Sequence, residues 1–151
     1  MKYKKQPAYL GIVLLALVAC GAKDPQAQKP KGSAPLNSAR TIERKLAEIA
    51  GQANQAAPAT IDANTRLDGA KAGPGLRLTT TYTLLNPDAE GISSATFETK
   101  LTPVVQQGSC KNPELRPLID QGVIVVLEYR GNDGSPMGTV SINRDTCAAI
   151  K

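Results

Sequence analysis

The folded part of the chain opens with apolar residues spaced three or four positions apart. From residue 38 onward these positions are Ile42, Leu46, Ile49 and Ala53. The spacing places them on one face of a helix, which we expect to pack on the domain's own sheet rather than to stay exposed for a partner. Asn37 or Ser38 can cap the free amides at the start of this helix. Pro58 disfavours helical backbone before it, so the predicted end is Ala56 or Ala57.

Two stretches after this helix alternate between apolar and polar residues, which is typical of strands. The first spans residues 60–67 and the second spans residues 76–84, and the glycines and proline at 73–75 between them predict a turn. In the second stretch Leu78 and Tyr82 face one way, whereas a row of threonines faces the other. Alternation with a polar second face predicts an antiparallel sheet with one solvated side.

The middle of the chain predicts helices. Residues 92–107 carry apolar positions at helical spacing, but Pro103 lacks an amide hydrogen and would kink or end a helix there. The sequence Asn112-Pro113-Glu114 is a clearer start signal, because it offers an N-cap, a proline in the first turn and an acid near the positive end of the helix. Gly122 is the predicted end of this helix.

The last third of the chain predicts a buried strand and a hairpin. Residues 123–130 are apolar on both faces near their start, residues 131–134 read Gly-Asn-Asp-Gly, and residues 139–143 return as a last strand. Together the elements predict an α+β domain over residues 38–151 in the order α-β-β-α-α-β-β. We expect an antiparallel sheet of about four strands with helices packed on one face.

Residues 1–20 have the three-part layout of an export signal. Lysines at positions 2, 4 and 5 precede an apolar stretch at 8–19, which is shorter than the roughly 20 residues of a spanning helix. The stretch ends in Leu17-Val18-Ala19-Cys20, which resembles the lipobox of bacterial lipoproteins. The resemblance implies that residues 1–19 are removed and that acyl chains such as palmitate on Cys20 hold the protein on a membrane. The alternative is an ordinary signal peptide whose cysteine happens to lie at the cleavage site.

The resemblance also implies a location in the cell. An aspartate directly after the lipidated cysteine usually signals retention in the inner membrane of bacteria with two membranes, and here Gly21 follows instead. We therefore expect the inner leaflet of the outer membrane, with the domain facing the periplasm. Residues 20–37 are proline-rich with hardly any large apolar residue, so we predict the lipidated cysteine followed by a flexible tether.

The net charge changes once the signal is set aside. The whole chain has 18 basic and 13 acidic residues, but removal of the three signal lysines leaves 15 basic residues and a net charge of +2. These charges are interspersed, and aromatic residues make up only 3% of the chain. Nucleic-acid binding normally needs clustered basic side chains, so we expect no nucleic-acid partner.

Two cysteines remain when Cys20 is assigned to the anchor. Cys110 and Cys147 are an even number in a domain predicted to be exported, so we expect a disulfide between them. A redox-active pair is the rival interpretation. It is disfavoured because the chain has neither a C-x-x-C motif nor a histidine that could activate a thiol.

Catalytic motifs are scarce. The chain contains no histidine, which excludes Ser-His and Cys-His catalysis and imidazole zinc sites. A glycosidase-type reaction would need two carboxylates to meet, drawn from a set of four: Asp62, Asp68, Glu128 and Asp133. We expect instead that these acids lie on solvated faces and turns, with Asp62 and Glu128 pairing with Arg66 or Arg130. The sequence thus indicates a protein that is not an enzyme and that holds no metal or cofactor.

A second resemblance covers roughly residues 57–147. It rests on TIDANTRL at 60–67, Tyr-Thr-Leu at 82–84, LRPLI at 115–119, Gly122, Tyr129, Asp133-Gly134 and the two cysteines. These motifs are similar to those of a family of small secreted bacterial proteins called quorum-sensing-regulated virulence factors. The resemblance implies the α+β fold and the disulfide, and it carries no catalytic residue onto this chain.

The predicted function is a non-enzymatic, lipid-anchored interaction or assembly domain with an envelope protein as partner and a role in virulence. Its candidate contact surfaces are the polar face of the first hairpin and the tip of the last one. The residues concerned are Asn64, Arg66, Thr79, Thr81, Asn132 and Asp133. A plain solvated surface is the alternative for each of them. A module that binds a small ligand or the cell wall in a pocket between sheet and helices is the second functional hypothesis, and a carboxylate enzyme is the third.

Overall fold

A computed structural model describes residues 34–87 and 91–150. The elements of these residues are, in chain order, α1 (Ala34–Ala56), β1 (Ala59–Thr60), β2 (Thr65–Ala72), β3 (Arg77–Leu84), α2 (Phe97–Lys100), α3 (Thr102–Lys111), α4 (Leu115–Asp120), β4 (Ile124–Gly131), β5 (Pro136–Ile142) and α5 (Arg144–Ala149). The predicted α+β class is confirmed. The predicted export signal, the predicted lipidation site Cys20 and most of the predicted tether lie outside the described residues. None of the helices in the described part has the length and apolar character needed to cross a membrane.

Helix α1 begins earlier than the sequence pattern predicted. It starts at Ala34, three residues before Asn37, and it takes the end of the segment predicted as tether. Pro35 does not prevent this, because a proline in the first turn of a helix sacrifices no intrahelical hydrogen bond. The predicted end at Ala56 is confirmed. Leu46 and Ala50 are buried in the core cluster, so the helix packs on the domain's own sheet as expected.

The first predicted strand, over residues 60–67, is wrong. The chain instead makes a short hairpin, in which Ala59 pairs with Leu67 and residues 61–64 form the turn. The Oδ1 atom of Asp62 accepts a hydrogen bond of 2.8 Å from the amide of Asn64, which stabilises the turn. The apolar–polar alternation runs through this turn without a break, which is why the pattern alone suggested one continuous strand.

The sheet has the order β1-β2-β3-β4-β5. Neighbouring strands are antiparallel except for β3 and β4, which are parallel. The prediction of about four antiparallel strands therefore missed the two-residue β1 and the parallel pair. The parallel pair follows from the connection, because α2, α3 and α4 carry the chain back to the end of the sheet where β3 began.

The core lies between the helices and one face of the sheet. It takes alternate residues of β3, β4 and β5 together with buried residues of the helices. Its fully buried large side chains are Leu46, Phe97, Ile119, Val123, Val125, Val140 and Ile142. The rings of Tyr82 and Tyr129 stack with centroids 5.4 Å apart, and Phe97 lies 5.5 Å from Tyr129. Burial raises the pKa of Tyr82, and burial together with the charges of Tyr82 and Asp62 raises the pKa of Tyr129 to about 12.

The structure confirms helices in the middle of the chain, with a break near Pro103 and an end at Gly122. Pro103 lies in the first turn of α3, so the chain breaks between α2 and α3 as a proline there requires. The Oδ1 atom of Asn112 accepts hydrogen bonds from the amides of Glu114 and Leu115 at 2.8 and 3.0 Å, directly before α4. Gly122, with a φ of 93°, follows the end of α4 and adopts a backbone conformation that favours glycine.

The disulfide between Cys110 and Cys147 is present, and its Cα atoms lie 5.3 Å apart. It joins the end of α3 to α5, a helix that the sequence pattern did not predict. Asn143 caps α5, since its side chain accepts a hydrogen bond of 2.9 Å from the amide of Thr146. The disulfide therefore fixes the last helix of the described residues onto the helical layer.

Candidate functional site

The sheet face that points away from the core carries the predicted contact residues of the strands. Arg66 pairs with Thr83, and Thr79 and Thr81 follow on the same face of β3. The structure therefore brings Arg66, Thr79 and Thr81 together, as period-two alternation predicted. We call this surface, from Arg66 in β2 to Ser141 in β5, the polar face.

A charged network lies at one end of the polar face. The Nε atom of Arg66 donates to Oδ1 of Asp68 at 2.7 Å, and the hydroxyl of Thr83 donates to Oδ2 of Asp68 at 2.5 Å. Burial by itself would raise the pKa of Asp68. The hydrogen bonds from Thr83 and Arg66 and the charges of Arg66 and Arg130 outweigh that effect, so the pKa lies below its ordinary value of 3.8. Asp68 is therefore held as a carboxylate.

This network corrects the predicted pairing of charges. Arg66 pairs with Asp68 of its own strand, whereas Asp62 belongs to the turn before β2. Glu128 accepts a long hydrogen bond of 3.5 Å from the hydroxyl of Thr81, its neighbour across β3 and β4. Asp68 lies two residues after Arg66 and so faces the same side, and the register shift between Leu67 and Gly69 then places Gly69 opposite Thr81.

A cleft of about 630 Å³ follows the polar face next to this network. Its lining residues are Asn54, Asp68, Gly69, Ala70, Lys71, Gly73, Thr79, Thr81 and Glu128. A ligand pocket was expected between sheet and helices, but the side chains of this cleft belong mainly to the opposite face. Hydroxyl, amide, carboxylate and ammonium groups line it, and such a surface suits hydrogen-bonding partners.

Asn54 connects α1 to the outer side of β2. Its side-chain amide donates to the carbonyl of Ala70 at 2.9 Å, and its Oδ1 accepts from the amide of Ala70 at 2.7 Å. The two bonds satisfy the backbone of Ala70 in the way that a neighbouring strand would. The sequence gave no local signal for this contact, because the two residues are 16 positions apart.

The tip at Asn132 and Asp133 lies at the same end of the sheet as Asn64, because Leu84 pairs with Thr65 on one side and with Gly131 on the other. Oδ1 of Asp133 accepts from the hydroxyl and the amide of Ser135, at 2.6 and 2.9 Å. These hydrogen bonds lower the pKa of Asp133. The carboxylate thus holds the turn together.

Asp68, one of the two carboxylates that line the cleft, is not set up as a general acid. A general acid needs a raised pKa, whereas the pKa of Asp68 is lowered by its partners. Among the residues that the structure describes, no group of three His, Cys, Asp or Glu side chains could hold a metal ion. The arrangement is therefore suited to binding through charge and hydrogen bonds.

No family model matches the chain, and no curated protein is similar to it in sequence. Three solved structures share its fold. A protein from Pseudomonas aeruginosa described as secreted has 17% identity and a TM-score of 0.61, with 73% of this chain and 96% of that chain covered. The pilotin EpsS from the Vibrio vulnificus type 2 secretion system has 14% identity and a TM-score of 0.62, with 74% and 96% covered. The type II secretion system pilotin AspS from Vibrio cholerae has 19% identity and a TM-score of 0.60, with 76% and 99% covered.

At these identities the comparisons establish the fold alone. They agree with an α+β domain of this size, which recurs in a protein described as secreted and in two pilotins. The resemblance to quorum-sensing-regulated virulence factors, which no family model supports, stays a prediction.

Proposed function

We propose that this chain is a lipid-anchored envelope protein that acts without catalysis as an interaction or assembly module of a secretion system, in the manner of a pilotin. The observation that carries the proposal is the shared fold, which covers 96% and 99% of the two pilotin chains. The lipobox-like sequence that ends at Cys20 supports it independently, because it would place this fold on a membrane.

The anchor defines where the module would act. Two or three acyl chains on Cys20 give stable membrane attachment, whereas one chain would be marginal. With Gly21 after the cysteine, the proposed site is the inner leaflet of the outer membrane, with the domain in the periplasm. An outer-membrane assembly would then meet the module at a high local concentration.

The polar face would supply part of the contact with the partner. Its ionised Asp68, its threonine hydroxyls and the carboxylate of Glu128 offer charge and hydrogen-bonding groups. Such surfaces contribute orientation and specificity at interfaces more than affinity. The envelope partner would recognise this face together with an additional region that provides affinity.

The experiment expresses the full chain and the variant Cys20→Ala in the native cells, both with an affinity tag at the C-terminus. We expect an acylated Cys20 by mass spectrometry, capture of a type II secretion component from detergent-solubilised membranes, and loss of that capture in Cys20→Ala. Stoichiometric capture of an unrelated envelope protein would contradict the secretion role while leaving the anchor intact. An unmodified chain in the medium would contradict both.

The cleft favours a second candidate function, a module that binds a polar ligand or the cell wall. Its volume of about 630 Å³ lies within the range of ligand pockets, and its hydroxyl and carboxylate lining offers hydrogen-bonding groups to a polar ligand. Titration of the full chain in detergent with soluble cell-wall fragments tests it by NMR. Saturable shifts at Thr79 and Thr81 that disappear in Glu128→Ala would support this candidate, and no shifts would exclude it.

A further inference from the structure

The two edges of the sheet differ in whether their outward backbone groups have hydrogen-bond partners. At the first edge β1 pairs with Leu67 and Arg66, and the side chain of Asn54 satisfies the backbone of Ala70. At the other edge β5 has β4 on one side only. Within residues 34–87 and 91–150 no hydrogen bond reaches the outer side of β5 between Met137 and Ile142. Alternate amides and carbonyls of this strand therefore point away from the sheet.

Exposure across the sheet agrees with an open edge. In one row of paired residues Thr81 and Glu128 are half-buried, whereas Thr139 of β5 is exposed. In the next row Val126 is buried and Ser141 is exposed. These two rows of the polar face thus become more accessible to solvent when they reach β5, whereas the core-face rows end in the buried Val140 and Ile142.

The sequence of β5 lacks the devices that usually block a strand edge. Proteins protect edges with lysines, prolines, bulges or a covering element. Here Pro136 and the register shift opposite Tyr129 and Arg130 guard only the first end of β5. The stretch 138–142 reads Gly-Thr-Val-Ser-Ile and carries no charge. By contrast, β2 at the first edge carries Lys71 and the cap from Asn54.

We propose that the outer edge of β5 at residues 138–142 is a docking edge, to which an extended segment of the envelope partner adds as a further strand. The open groups themselves specify the chemistry, because a row of alternating N–H and C=O groups is matched by another extended backbone. This inference rests on the proposed interaction function, and it names the surface that would provide affinity beside the polar face.

A second copy of this chain is a poorer occupant of the same edge. Five residues are about 17 Å long and a sheet is about 10 Å thick, so symmetric pairing would bury on the order of 170 Å² on each copy. Stable interfaces bury about 1,200–2,000 Å² in total. A partner that also contacts the polar face is not limited to the area of the strand.

The test places a photoreactive residue at the edge in the full, membrane-anchored chain. Ser141→p-benzoylphenylalanine probes the edge, and Thr79→p-benzoylphenylalanine probes the polar face. Ala47→p-benzoylphenylalanine, at an exposed position of α1, is the control. The segment of the partner cross-linked to position 141 is then synthesised as a peptide. We expect this peptide to slow amide hydrogen exchange in residues 136–142 of the full chain in detergent.

A pair of charged variants adds a quantitative control. Thr139→Lys combined with Ser141→Lys introduces charges on the edge strand and should weaken binding of the peptide by at least about tenfold, whereas Ala47→Lys on α1 should leave it unchanged. Thermal unfolding of both variants checks that the domain folds.

Each result has a defined meaning. Cross-links from position 79 but not from position 141 would overturn the docking edge and leave the interaction function standing. Cross-links from none of the three positions would contradict the interaction function itself. A cross-link between two copies would show that a second copy, and not the partner, occupies the edge. A peptide that protects only amides outside β5 would show that the partner docks on another surface.

Discussion

Gly138 is the position at which the packing of the core makes the sharpest prediction. A Cβ atom added there would lie 2.2 Å from Cδ1 and 2.5 Å from Cε1 of Phe97. Carbon atoms in contact prefer about 3.5–4.0 Å, so the ring would have to move by about 1.3 Å or more. Phe97 is 1% exposed and packs against Tyr129, and this leaves the ring little room to move.

The substitution Gly138→Ala should therefore destabilise the domain. Overpacking of a core costs about 1–3 kcal/mol, and removal of a glycine from the unfolded chain offsets about 0.4–1 kcal/mol of it. We expect a net loss of about 1–2 kcal/mol, which for a domain of about 120 residues lowers the Tm by about 4–8 °C. Urea unfolding of the chain without residues 1–20, followed by circular dichroism, measures the loss.

Gly108 is the matched control. It lies within α3, and a Cβ atom there would meet nothing within 4 Å. Gly108→Ala should raise the free energy of unfolding by up to about 1 kcal/mol, because alanine is the better helix former. If Gly138→Ala is as stable as the original chain while Gly108→Ala behaves as expected, the close approach of β5 to Phe97 does not exist.

Three further perturbations test separate parts of the structure. Loss of the disulfide in Cys110→Ser with Cys147→Ser releases a link across 37 residues and should lower the free energy of unfolding by about 4 kcal/mol, as measured by urea unfolding with an oxidised control. Asp68→Asn should cost about 1 kcal/mol at pH 7, since the network is partly exposed. Because the folded-state pKa of Asp68 is below 3.8, the difference between variant and original should shrink as the pH falls below that value and vanish below the folded-state pKa. A difference that stays constant down to pH 2 would contradict the assigned network. Asn54→Ala removes two hydrogen bonds to Ala70 and should cost about 1–2 kcal/mol and speed exchange of the Ala70 amide, whereas the neighbouring Gln55→Ala should do neither.

The sequence predicted those elements whose signals are local. The alternation of apolar and polar residues predicted β3 and β4. The Asn112 cap and Gly122 predicted the start and the end of α4, and the even number of cysteines predicted the disulfide. The β1–β2 hairpin was missed because its turn at Asp62 continues the alternation of the strands around it. β3 and β4 are parallel because three helices carry the chain back across the sheet between them. The residue pattern within each strand does not reveal this path.

The candidate site was predictable in part for the same reason. Arg66, Thr79 and Thr81 share a face because they obey the two-residue period. Asp68 obeys the same period, but the predicted strand ended at residue 67, and the alternation breaks at Gly69 just after Asp68. Recognition of the Asn143-x-x-Thr146 capping signal would have revealed α5.

The polar face and the docking edge belong to one surface because the register joins them. The row that starts at Gly69 runs through Thr81 and Glu128 and ends at Thr139 on the open strand. A strand added to β5 would extend this row, so alternate side chains of the partner would stand beside Thr139 on the polar face. Backbone pairing would then provide sequence-independent affinity, whereas the hydroxyls and Glu128 would select among partner side chains. Asn54 closes the opposite edge, and an added strand is therefore directed to β5.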